Sequence, residues 1–125
     1  LFSDYFSEAE IRCRCDLGSK CPAPLALEPT FRGKLLEVRL LFGLPMTVTS
    51  GIRCPYWNDK NSGAVDSWHL KAGAVDVRSK GAAYNGRLVK AALEAGIMGI
   101  GIRGGKAPIV HLDNRVSKVP EFFGY

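Results

Sequence analysis

The chain has 125 residues, enough for one domain with an ordinary hydrophobic core and too few for two. Its 46% hydrophobic and 23% charged content is that of a globular protein and excludes collagen, coiled coil and extended disorder. The 17 Lys and Arg against 12 Asp and Glu give a formal charge of +5, which suits anionic partners. The basic residues are scattered and no zinc-finger or RNA-recognition pattern accompanies them, so no nucleic-acid partner is expected. No apolar run nears the roughly 18 residues of a membrane span, so no membrane insertion is expected. Leu1 to Ile11 carries Asp4, Glu8 and Glu10 and lacks the basic start and apolar centre of a signal peptide.

In chain order, Ser7-Glu8-Ala9-Glu10 matches a capping box and predicts a short helix over residues 7–13. Cys15 to Leu27, rich in Gly, Cys and Pro, reads as a loop. Phe31, Leu35, Val38 and Phe42 share one face of a helix from Glu28 to Phe42, with Pro29 in its first turn and Gly43 and Pro45 as its stop. Leu36, Leu40 and Leu41 widen that face, so the helix is expected to be well buried. Met46 to Thr49 reads as a strand from its β-branched content. Gly51 to Ser67 reads as a long loop with one helical turn near Tyr56 to Lys60. A second strand is predicted over Gly73 to Val77. A second long helix follows over Ala82 to Glu94, its apolar positions being Tyr84, Leu88, Ala91, Ala92 and Leu93. Ile97 to Ile102 and Ile109 to Asp113 read as a hairpin turning at Gly104-Gly105, joined too tightly for a parallel crossover. The sum is an α+β fold: one small domain over residues 1–125 with a mostly antiparallel sheet and helices packed on it.

Only two histidines occur, His69 and His111. With Asp76 they make two imidazoles and one carboxylate, a ligand set with which a catalytic zinc ion keeps a fourth position for water. For an isolated histidine the ordinary reading is a hydrogen-bonded residue of core or surface, but the local pattern argues for more. On the predicted strands Asp76 shares a face with Ala74 while Val75 and Val77 take the other. His111 likewise shares a face with Asp113, while Val110 and Leu112 take the core side. Ala72, Gly73 and Ala74 are small enough to let backbone and metal approach closely.

The run Ser67-Trp68-His69-Leu70-Lys71-Ala72-Gly73-Ala74-Val75-Asp76 resembles the S-x-H-x-x-G-x-A-x-D signature of the zinc D-alanyl-D-alanine carboxypeptidase family. That family includes bacterial peptidoglycan peptidases and phage endolysins and shares its fold with the hedgehog signalling domain. Phe6-Ser7 to Cys15, Val48-Thr49-Ser50-Gly51-Ile52-Arg53-Cys54-Pro55, Val110-His111-Leu112-Asp113 and the aromatic tail Phe122-Phe123-Gly124-Tyr125 match in the same order. The likeness is to the short phage and bacterial branch. It implies one Zn2+ ion held by His69, Asp76 and His111. It implies that Arg53 polarises the scissile carbonyl and holds the oxyanion, against the alternative of a structural salt bridge. It implies that Ser67 lines the substrate site, against the alternative of a turn residue bonding its own backbone. The expected partner is a peptidoglycan stem peptide or cross-link, cut at the bacterial cell wall by a monomeric carboxypeptidase or endopeptidase of endolysin type, encoded by a phage. The competing expectation is a zinc-binding structural or cell-wall-binding module of a virion.

The sequence departs from that signature in two places. Position 72 holds Ala72, with the glycine one place later at Gly73. Many relatives carry a catalytic Glu or Asp three residues before the last zinc histidine, where this chain has Pro108. Asp113 is the replacement, either as general base or as the group that orients His111 and raises its basicity. With no third imidazole, a proton carrier must be a carboxylate or water. Cys13, Cys15, Cys21 and Cys54 form no paired C-x-x-C knuckles. Two disulfides, a four-cysteine metal site and free buried thiols are open, and we expect a structural tether from the N-terminal segment to the Cys54 loop that preorganises Arg53.

Overall fold

The capping box at Ser7 forms: Ser7 Oγ accepts from Glu10 N at 3.2 Å and Glu10 Oε1 accepts from Ser7 N at 3.1 Å. The helix it starts, α1, is one turn, Glu8–Ile11, shorter than predicted because Arg12 turns to extended backbone. The computed structural model describes residues 1–125. Helix α2 spans Pro29–Phe42 and starts where the Glu28 carboxylate accepts from Thr30 N and Phe31 N at 3.0 Å each. It stops at Gly43, whose φ of 75° lies in the left-handed region that glycine enters freely. Then come β1 (Val48–Ser50), α3 (Pro55–Lys60), a 3-10 turn (Trp68–Lys71), β2 (Ala74–Arg78) and α4 (Ala82–Glu94). Strands β3 (Gly99–Arg103), β4 (Ile109–Asp113) and β5 (Glu121–Gly124) complete the chain.

Two expectations of burial are corrected. Leu40 and Leu41 are 56% and 49% exposed, because α2 buries a single stripe of Phe31, Leu35, Val38 and Phe42. At 3.6 residues per turn Leu40 stands about half a turn away from Phe31. Leu93 on α4 is also exposed, while Leu88, Ala91 and Ala92 are buried.

The sheet has the order β1-β2-β4-β3-β5 and is antiparallel except for the parallel pairing of β3 with β5. The α+β architecture with a mostly antiparallel sheet is therefore as predicted, with β5 an added edge strand. On one face Val75, Val77, Ile100, Val110 and Leu112 join the buried stripes of α2 and α4 in one apolar core. Each such fully buried side chain contributes about 1.5–3 kcal/mol, so the register is firmly set. A slip of one residue would turn Asp76, His111 and Asp113 into that core. On the opposite face Asp76 pairs with His111, Ala74 with Asp113, and Gly101 and Gly99 flank His111 and Asp113 from β3.

Those two glycines create the room for the site. A Cβ at position 99 would collide with the Asp113 carboxylate, and one at 101 with the rings of Phe123 and Tyr125.

Candidate metal centre

His69 reaches the polar face from the 3-10 turn at Trp68–Lys71, which Ser67 caps by accepting from His69 N at 3.2 Å. The turn closes at Ala72 with φ 56° and ψ 31°, a left-handed conformation that costs a non-glycine residue about 1–2 kcal/mol. Burial of the Ala72 methyl in the core offsets about 0.8 kcal/mol of this. Space rather than conformation is the demand at Gly73, where a Cβ would lie 3.3 Å from Trp68 Cε3 and 3.4 Å from Asn114 Cβ. The displaced glycine of the signature thus separates two requirements onto neighbouring residues.

The structure brings His69, Asp76 and His111 together, all buried, with their ligand atoms within 4.8 Å of one another. His69 Nε2 lies 3.3 Å and His111 Nδ1 3.0 Å from Asp76 Oδ1. The other nitrogen of each ring is already engaged. His69 Nδ1 lies 2.6 Å from the Gly51 carbonyl and His111 Nε2 lies 2.8 Å from Asp113 Oδ2. Both partners are acceptors, so in each neutral ring the proton sits on the outer nitrogen and the inner one presents a lone pair. In the neutral rings two lone pairs and a carboxylate oxygen then face one point, an arrangement that a positive charge completes: a metal ion or, without one, a proton between His111 Nδ1 and Asp76 Oδ1. Bonds of about 2.0–2.2 Å to a tetrahedral ion set neighbouring donors about 3.3–3.6 Å apart, close to the spacings found. The residues fit a metal ion.

The electrostatics agree with a cation site. Burial opposes ionisation of Asp76, but the hydrogen bonds and charge of His111 and His69 outweigh it and hold the carboxyl well below the usual range. Burial also disfavours a charged His111, yet the Asp113 and Asp76 carboxylates raise its pKa. Asp113 is fully buried, and burial again loses to the hydrogen bonds of His111 and Arg115, so its carboxyl stays ionised. Both of its oxygens are occupied. Arg115 donates to it from Nη2 at 2.8 Å, from Nε at 2.9 Å and from its backbone N at 3.0 Å.

Arg53 follows β1 and is held on three sides. Its Nε donates to Ser50 Oγ at 3.0 Å, Nη2 to Asp76 Oδ2 at 3.2 Å and Nη1 to Asn58 Oδ1 at 3.3 Å. Burial lowers its pKa and the Asp76 carboxylate counters it. Around these groups opens a cleft of about 770 Å³, lined also by Ser67, Trp68, Arg103, Phe123 and Tyr125. Pro108, just ahead of β4, offers only its carbonyl, which accepts from Ser79 N at 3.0 Å.

Residues 4–113 match a protein family described as Peptidase M15. The chain belongs to the M15 peptidases. Comparison with curated proteins finds no match. The matched span of this M15 peptidase carries Arg53, Ser67, His69, Asp76, His111 and Asp113 and ends on the last residue of β4. The wall that β5 adds, with Phe123 5.5 Å and Tyr125 6.3 Å from the His111 ring centroid, lies beyond it.

Several positioning residues have no signal in the sequence. Arg115 acts on Asp113 from the loop after β4 and is itself held by Glu121 Oε1 at 2.8 Å. Asn58 is buried and ties Arg53 to the Ala64 carbonyl, to which its Nδ2 donates at 2.9 Å. Glu28 Oε2 accepts from Asn114 Nδ2 at 2.8 Å and so joins the head of α2 to the end of β4. The capping box at Ser7 is visible as a pattern, whereas the roles of Gly99 and Gly101 emerge only from the register of β3 with β4.

Proposed function

We propose that the protein is a zinc-dependent peptidase that hydrolyses stem peptides or cross-links of bacterial peptidoglycan. The observation that carries this reading is the convergence of His69 Nε2, His111 Nδ1 and Asp76 Oδ1 at the floor of an open cleft, with both imidazole tautomers fixed from behind. His69, Asp76 and His111 hold the ion in this account. Zinc, when bound, supplies Lewis acidity that lowers the pKa of a coordinated water toward about 7 and polarises a carbonyl.

The chain's own residues do the rest. Gly51 and Asp113 orient the two imidazoles, and Asp113 raises the basicity of His111. Arg53, pinned by Ser50, Asn58 and Asp76, keeps a fixed positive charge at the cleft wall for the oxyanion that develops on the scissile carbonyl. With four hydrogen bonds converging on it, Asp113 acts as a positioning residue rather than as the base. Asp66 and Glu121, which also line the cleft, are the remaining carboxylates available to carry a proton there, with water as the other carrier. The cationic Arg53 and Arg103 suit the free carboxylates of an anionic stem peptide. Ser67 caps the His69 turn and edges the cleft, so its positioning and substrate-lining roles coexist.

The setting that follows is the bacterial cell wall, with a phage-encoded monomeric enzyme of endolysin type. No helix is long and apolar enough to cross a membrane. One observation favours a second reading as a zinc-binding virion module: Pro108 stands where relatives carry an acid, and Asp113 is committed to Arg115. A peptidoglycan zymogram separates the two. Clearing that a chelator abolishes and zinc restores supports the peptidase; binding to wall without clearing by zinc-loaded protein supports the module.

A further inference from the structure

A second group of ligand atoms lies apart from the cleft. Cys13 and Cys15 follow α1, Cys21 follows the 3-10 turn at Gly18–Lys20, and Cys54 caps α3. Their four sulfurs lie within 4.8 Å of one another, and no disulfide joins them. All four converge on one point. None of the six sulfur pairs is wider than 4.8 Å, so one ion can reach all four. Four Zn–S bonds of about 2.3 Å put tetrahedral sulfurs about 3.8 Å apart, inside that limit.

A second observation concerns the hydrogen bonds to these sulfurs. Cys13 Sγ accepts from Cys54 N at 3.3 Å and Cys54 Sγ accepts from Trp57 N at 3.4 Å. Two of the four sulfurs, those of Cys13 and Cys54, thus have a backbone donor aimed at them. Thiols and disulfides are weak acceptors, whereas thiolates use such donors fully. Four adjacent thiolates repel one another, so this environment calls for a cation of high charge among them, and a tetrahedral all-sulfur site selects zinc or iron.

We propose that Cys13, Cys15, Cys21 and Cys54 bind one structural zinc ion, separate from the ion assigned to His69, Asp76 and His111. Each thiol gives up its proton on binding, so zinc uptake is coupled to proton release. The site pins the loop that carries Arg53. Cys54 follows Arg53 directly, Ile52 N donates to Ile11 O at 2.8 Å, and a Cβ on Gly51 would meet the Ile11 carbonyl. The same Gly51 offers its own carbonyl to His69. The four-cysteine site therefore underpins both a cleft cation and a histidine orientation, without touching substrate.

The test is metal and thiol analysis of the full chain, made with zinc present and then reconstituted with cobalt(II). The expected result is two zinc ions per chain and a strong thiolate-to-cobalt charge-transfer absorption. His69→Ala with His111→Ala is expected to keep that absorption and one zinc ion, a readout that does not depend on hydrolysis. Cys15→Ser with Cys21→Ser is expected to lose the absorption. Denatured protein, stripped of metal without reductant, is expected to show four titratable thiols. A mass lower by the four thiol hydrogens with no titratable thiol, meaning two disulfides, would overturn the proposal. So would a single zinc ion per chain with no thiolate absorption, or iron in place of zinc at the cysteines.

Discussion

His111 Nε2 lies 2.8 Å from Asp113 Oδ2, while Nδ1 of the same ring points at Asp76. One carboxylate therefore aims the imidazole that the other helps to complete. Such a partner behind a ligating histidine typically changes metal affinity by roughly 10–100-fold. Asp113→Asn is accordingly expected to weaken zinc binding by roughly that factor, measured by competition with a chromophoric chelator. Unchanged affinity with hydrolysis lost at saturating zinc would instead make Asp113 the base.

Arg53 touches Asp76, yet its guanidinium also lines the cleft. Arg53→Gln is expected to lower kcat by roughly 10²–10³-fold, the usual loss on removing one oxyanion donor, while zinc content stays the same. Arg53→Lys is not expected to recover the loss, because an ammonium cannot reproduce a fork held at Ser50, Asn58 and Asp76. A kcat within twofold of wild type in the Gln variant would leave Arg53 a purely structural ion pair.

Gly99 lies beside Asp113 on the neighbouring strand. Gly99→Ala forces the Asp113 carboxylate or the Arg115 side chain to move, and is expected to destabilise the fold by about 1–3 kcal/mol in urea denaturation, the range for overpacking. Gly33→Ala, exposed on α2 with open space around it, is the control, expected to be neutral or stabilising. Equal stability of the two variants would contradict the role given to Gly99.

Glu28 gives a pH prediction. The N–H groups of Thr30 and Phe31, with Asn114 behind them, lower its pKa. The unfolded chain then holds the proton more tightly than the folded one, so the stabilisation is complete above the unfolded value of about 4.3 and is lost as pH falls through the lower folded value. The stability difference between wild type and Glu28→Gln, followed by denaturation from neutral to strongly acidic pH, is expected to be constant near neutrality and to shrink on acidification. A difference that grows toward low pH would reverse the sign.

The alternation Val110, His111, Leu112, Asp113 made the two faces of β4 legible, because one side must meet the core and the other carries groups that cannot. The stripe of α2 was legible for the same reason, and failed only at Leu40 and Leu41, where hydrophobicity alone cannot tell a buried position from one turned to solvent. Strand β5 was not legible. It is four residues long, lies at the sheet edge and pairs in parallel with β3, so no local pattern specifies it. Arg115 and Asn58 stayed hidden because each acts through a neighbour that only tertiary structure supplies.

A zinc-dependent hydrolytic centre at His69, Asp76 and His111 is tested most directly by mass spectrometry of a defined muropeptide incubated with metal-free protein, with the same protein after zinc is restored, and with zinc-treated His111→Ala. The account predicts cleavage into one new carboxyl and one new amine fragment only by the zinc-restored wild type. An intact muropeptide after incubation with wild type whose zinc has been located at these three residues would contradict it.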